Sequence, residues 1–89
     1  MMQLPNLTHV GGDLNAQGNQ HVSEHSFPNL EVVQGDLNIA NSGFQQLPPK
    51  LNQVDGRLIL SKTSPASLVQ AVMNMKEKGL IRGGVFYCD

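Results

Sequence analysis

The sequence predicts an α/β fold: a small solenoid with a four-stranded parallel sheet and a carboxyl-terminal capping helix. Three observations predict it. A seven-residue unit recurs as Val10-Gly11-Gly12-Asp13-Leu14-Asn15-Ala16, Val33-Gln34-Gly35-Asp36-Leu37-Asn38-Ile39 and Val54-Asp55-Gly56-Arg57-Leu58-Ile59-Leu60, with a looser copy at Ile81-Arg82-Gly83-Gly84-Val85-Phe86-Tyr87. Apolar residues alternate with polar ones inside each copy, a period of two that reads as a strand with one buried face. Units of this size bring each strand back to the same side in the same direction, so neighbours run parallel and bury their apolar faces against one another. The 89 residues form one domain, with units of approximately 4–26, 27–46, 47–63 and 64–89.

Taken in order, the first strand is expected over 10–16, the second over 33–39, the third over 54–60 and the fourth over 81–87. Their buried columns are Val10, Val33, Val54 and Ile81; Gly12, Gly35, Gly56 and Gly83; Leu14, Leu37, Leu58 and Val85; and Ala16, Ile39, Leu60 and Tyr87. A glycine in every copy implies close backbone approach, a bulge or a positive φ, and the sequence leaves these three open. Leu4-Pro5-Asn6-Leu7, Phe27-Pro28-Asn29-Leu30 and Leu47-Pro48-Pro49-Lys50-Leu51 line the return path, where proline costs no sheet hydrogen bond. Asn19, Ser42 and Thr63 follow the strands and can bond turn backbone. The fourth unit contains a helix, with Ser64 as N-cap and Pro65 at its first position. Leu68, Val72 and Met75 share its buried face, widened by Val69 and Met73. Lys76 and Lys78 complement the carboxyl end of its dipole, and Gly79 ends it with Leu80 folding back on Met75.

Composition narrows the function classes. Hydrophobic residues make up 39% and charged residues 15%, and with no Trp the core must be built from Leu, Val, Ile and Met. No apolar run is long enough for a membrane span, and the amino terminus lacks the pattern of a secretory signal. The lone Cys88 excludes an internal disulfide and a cysteine zinc cluster, which points to a reducing, cytoplasmic setting. The net charge of −1 is polarised: residues 1–49 hold four acidic residues and no Lys or Arg, whereas residues 50–89 hold six basic and three acidic residues. Such polarity orients a partner or promotes head-to-tail self-association. The basic half has no dense cluster, so nucleic acid is not an expected partner.

The pattern Leu-Pro-x-Leu-x-x-Val-x-Gly-Asp-Leu-x-Ile, carried most fully by residues 27–39, resembles a short leucine-rich repeat. It is similar to coils of receptor L-type domains and to Gly-Asp-Leu repeats of bacterial and phage proteins. The resemblance implies a leucine-rich-repeat-like solenoid that binds through its sheet or an edge rather than catalysing a reaction. It also implies, as a specific version, a small phage or bacterial inhibitor of a host defence or enzyme complex.

Strand alternation puts Asp13, Asp36, Arg57, Ile59, Arg82 and Phe86 on the outer face, and these are the candidate protein-binding residues. Ile59 and Phe86 should lie side by side beside Arg57, the composition of an interface hot spot. The alternative is that Phe86 packs under the tail or against a neighbouring subunit. The last strand, Val85 to Cys88, is expected to offer an uncovered edge for a homodimer, with Cys88 near its two-fold axis.

His21-Val22-Ser23-Glu24-His25 matches the H-x-x-E-H string of inverted zinc proteases, which would make the chain a metal-dependent hydrolase. That chemistry needs a helix carrying both histidines, and too few residues precede Pro28 for one, so a polar loop is expected. Asp13 and Asp36 could form a carboxylate pair, but copying of the unit explains them, and Arg57 takes the same place in the third copy. The expectation is a non-catalytic protein-binding module that docks on or occludes another protein, with no cofactor and no metal. The competing classes are the hydrolase and a structural protein that self-assembles through its end strands.

Overall fold

Three tight turns built on proline set the chain's path. Leu7 N–H donates to Leu4 C=O at 3.2 Å, Leu30 to Phe27 at 3.4 Å and Leu51 to Pro48 at 3.1 Å. In each, a proline holds the second turn position at the φ the turn requires. The extra residue of the third element therefore moves the turn one place along, onto Pro49. Each turn leads into a short strand, and the computed structural model describes this arrangement for residues 3–88.

The strands are β1 (His9–Val10), β2 (Leu14–Asn15), β3 (Val32–Val33), β4 (Leu37–Asn38), β5 (Gln53–Val54), β6 (Leu58–Leu60) and β7 (Val85–Tyr87). Among the described residues one α-helix, α1, spans Ala66–Glu77, and a one-turn 3-10 helix spans Glu24–Ser26. The strands form two sheets, one of order β1-β3-β5 and one of order β2-β4-β6-β7. Every pairing is parallel, with Val10 opposite Val33, Val33 opposite Val54, and Leu14, Leu37, Leu58 and Val85 in one row.

This corrects the expected architecture. The protein is a small α/β domain of two parallel sheets and one helix, not a leucine-rich-repeat-like solenoid with one four-stranded sheet. Each seven-residue copy is not one strand: it bends at its glycine, leaving its first residue in, or bridged to, one sheet and two or three residues in the other. The connections are also unlike one another. The first carries the 3-10 turn, the second has no helix, and the third is the twelve-residue α1. Past β5 the first sheet continues only as an isolated bridge from Val54 to Ile81. The four-stranded parallel sheet and the carboxyl-terminal helix are present; the repeating architecture is not.

Three glycines of the row, Gly35, Gly56 and Gly83, are explained by close approach. A Cβ on Gly35 would lie 2.7 Å from the carbonyl carbon of Gly12, and one on Gly56 would lie 2.6 Å from that of Gly35. The row is not uniformly buried as expected, since Gly12 and Gly83 are exposed. Beneath the sheets Leu30, Val33, Leu37, Ile39, Phe44, Val54, Leu58, Leu60, Leu68 and Val72 form the buried core. Phe27 and Phe44 stack within it, ring centroids 6.3 Å apart. Tyr87, expected in the core, is 45% exposed because β7 ends the sheet with only β6 beside it.

Helix α1 buries Leu68, Val72 and Met75 as the spacing requires. Its start differs from expectation. Pro65 is the cap residue and no side chain caps the helix, because Ser64 Oγ accepts the Ser61 N–H at 3.1 Å instead. Its end follows the sequence: Gly79 has φ +75°, Leu80 N–H donates to Met75 C=O at 3.1 Å, and Gly79 N–H donates to Lys76 C=O at 3.0 Å. No helix among the described residues is long and apolar enough to cross a membrane.

Candidate protein-binding face

The outer face of the four-stranded sheet begins with a chain of carboxylates reaching across strands. Asp13 Oδ1 accepts the backbone N–H of Asp36 at 2.7 Å, and Asp36 Oδ1 accepts that of Arg57 at 2.7 Å. The sheet's bend at each glycine turns these N–H groups out of the strand ladder, and the preceding aspartate satisfies them. The two aspartates are thus occupied separately, each serving the next strand, rather than sharing a proton.

Asp36 also grips Arg57 with its second oxygen. Oδ2 lies 2.8 Å from Nη2 and 3.2 Å from Nε, a two-point contact with the planar guanidinium. The hydrogen bonds from the Arg57 side chain and backbone hold the Asp36 carboxyl below the usual carboxylate range. The guanidinium so fixed stands 5.9 Å from the centroid of the Phe86 ring, within cation–π range.

Ile59 and Phe86 are register partners on β6 and β7, so their side chains neighbour each other on this face. Ile59 is half-buried and Phe86 is 49% exposed. Phe86 therefore does not pack beneath the tail. Arg82 lies at the margin, its Nε 3.7 Å from Asp55 Oδ1. The structure brings Asp13, Asp36, Arg57, Ile59 and Phe86 into one neighbouring series, while Arg82 pairs with Asp55, which the sequence reading did not single out.

Two other features escaped the sequence. Asn15 and Asn38 each accept the backbone N–H two residues on, at 3.0 and 3.1 Å, and thereby close the strand ends. Gln17 bridges Asn38 at 2.9 Å and the Cys88 sulfur at 3.6 Å, tying the exposed tail to a residue 71 positions earlier. The asparagines could have been found from their place at the end of each strand copy. The Gln17 contact had no local signal.

The His21–His25 string does not take the helical form metal chemistry requires. Only Glu24–Ser26 is helical, as a single 3-10 turn capped by Ser23 and Ser26 hydroxyls. Glu24 Oε1 accepts the Gln45 N–H at 3.1 Å, and its other oxygen is 3.6 Å from His25 Nε2. Among the described residues no group of three His, Cys, Asp or Glu side chains is placed to hold a metal ion.

Comparison with protein-family models, with curated proteins and with solved structures returns no match. The expected kinship with leucine-rich repeats and receptor L-type domains therefore gains nothing from relatives, and the two-sheet topology overturns it.

Proposed function

We propose that this chain is a non-catalytic protein-binding module that docks through the outer face around Phe86, Ile59 and Arg57 and occludes the surface it covers. One observation carries the reading. A large aromatic side chain stands 49% exposed beside Ile59, with an arginine held over its ring by a carboxylate. Aromatic and arginine side chains supply most of the binding energy where partner proteins meet, and a pre-set arginine loses less freedom on binding. Asp13, Asp36 and Arg82 would form the polar rim, with negative and positive groups at opposite ends to orient the partner. The free, exposed Cys88 suits a reducing compartment such as the cytoplasm.

The test is paired affinity capture, with wild-type chain and a Phe86→Ala/Arg57→Glu variant as baits. The reading expects a partner on the wild type that the folded double variant fails to retain. Equal recovery on both baits would refute the face.

A further inference from the structure

Gly12 is a glycine that no close contact among the described residues requires. Gly35, Gly56 and Gly83 each lie against the backbone of the preceding strand pair: a Cβ on Gly83, for example, would stand 2.7 Å from Arg57 N. Gly12 holds the equivalent place on the first pair. Its φ is not positive, and among the described residues nothing lies within 4 Å of the position its Cβ would take. A further strand pair laid on the β1/β2 edge in the same register would bring backbone to that spot.

The opposite edge of the molecule has the required form. Leu58 N–H donates to Gly84 C=O and Cys88 N–H to Leu60 C=O, so alternate residues from 84 to 88 face β6. The peptide groups of Val85 and Tyr87 consequently face the open edge. On β2, Leu14 and Ala16 donate to β4, which leaves the peptide groups of Asp13 and Asn15 facing outward. Both edges run in the same direction and alternate in the same phase. Asn15 of one copy can exchange hydrogen bonds with Val85 and Tyr87 of another.

Apolar surface and charge agree with this pairing. The core is only partly covered at both ends, by Leu7, Val10 and Leu14 at one and by Leu80 and Val85 at the other. The first end belongs to the half that carries four acidic residues and no Lys or Arg; the second lies in the basic half, beside Arg82. Pairing β7 with its own copy about a two-fold axis would instead set two basic halves against each other, a like-charge arrangement.

We propose that a second copy of this chain docks head to tail, its β1/β2 edge against the β7 edge of the first. The contact does not close on itself, so it propagates into open chains. It engages the outward-facing peptide groups of Val85 and Tyr87, whereas the docking face presents the side chains of Phe86, Ile59 and Arg57.

The experiment is sedimentation of the full chain from about 10 µM to about 1 mM, at low and high salt. The proposal expects a mass that climbs past two chains without a plateau and falls as salt rises. Gly12→Ala should keep the wild-type melting temperature yet weaken association about tenfold or more. Tyr87→Pro removes an outward-facing N–H rather than one bonded to β6, and should weaken association from the other edge as well. A monomer throughout would overturn the proposal. So would a plateau at two chains that Gly12→Ala leaves unchanged, which would assign pairing of β7 with itself.

Discussion

Asp36 and Arg57 immediately precede the paired parallel strands β4 and β6 and meet at 2.8 Å, joined through both the guanidinium and the Arg57 backbone N–H. One carboxylate thus completes the sheet at its bend and aims the cation at Phe86. Structure and candidate interface share that group, which makes its removal informative.

Phe86→Ala should leave the fold nearly intact, because the ring is already half in solvent. Surface changes of this kind cost within about 0.5–1 kcal/mol of stability. Affinity for the captured partner should fall about tenfold or more, as for a central aromatic contact. Thermal melts and titration calorimetry on the same samples read both effects.

Acid should expose the Asp36 link. Its folded pKa lies below the ordinary 3.8, so the carboxylate contributes stability that is fully present above the unfolded pKa and is lost as pH falls through the folded value. Melting temperature should therefore be level from pH 7 to about 5 and decline below about 4. Asp36→Asn should lower the neutral plateau and flatten part of that decline; an unchanged acid profile would remove Asp36 from the account.

Glycine-to-alanine changes should split by position. Gly35→Ala and Gly56→Ala force a methyl into backbone at 2.6–2.8 Å and should cost about 2–3 kcal/mol or more. Gly12→Ala meets no atom of the described residues within 4 Å and should cost almost nothing. Denaturant unfolding of the three variants checks the order.

Zinc should neither bind stoichiometrically nor raise the melting temperature, and His21→Ala/His25→Ala should melt like wild type. Equilibrium dialysis with metal analysis is the direct readout. One zinc per chain, lost in the double variant, would restore the hydrolase reading.

Parallel direction was legible from the recurrence of one unit, and register and the neighbouring of Ile59 and Phe86 were legible because period-two patterning fixes which side chains share a face. The helix and its Gly79 ending were legible from residues whose preferences are local. The division of each copy into two sheets was not. A bend at a glycine that does not disturb alternation leaves no trace in the apolar pattern, and a copied sequence unit does not impose copied connections. Asp13 and Asp36 looked like a surface row; their use as acceptors for the next strand's N–H depends on that bend. Tyr87 continued an apolar column, but burial also requires a neighbour beyond the last strand.

The most direct test of the binding face is hydrogen–deuterium exchange on the chain alone and in complex with its captured partner. The account expects the complex to slow exchange at residues 57–59 and 84–88, leaving the 45–50 loop on the far side unchanged. Protection confined to that loop, with 57–59 and 84–88 exchanging as in the free chain, would contradict it.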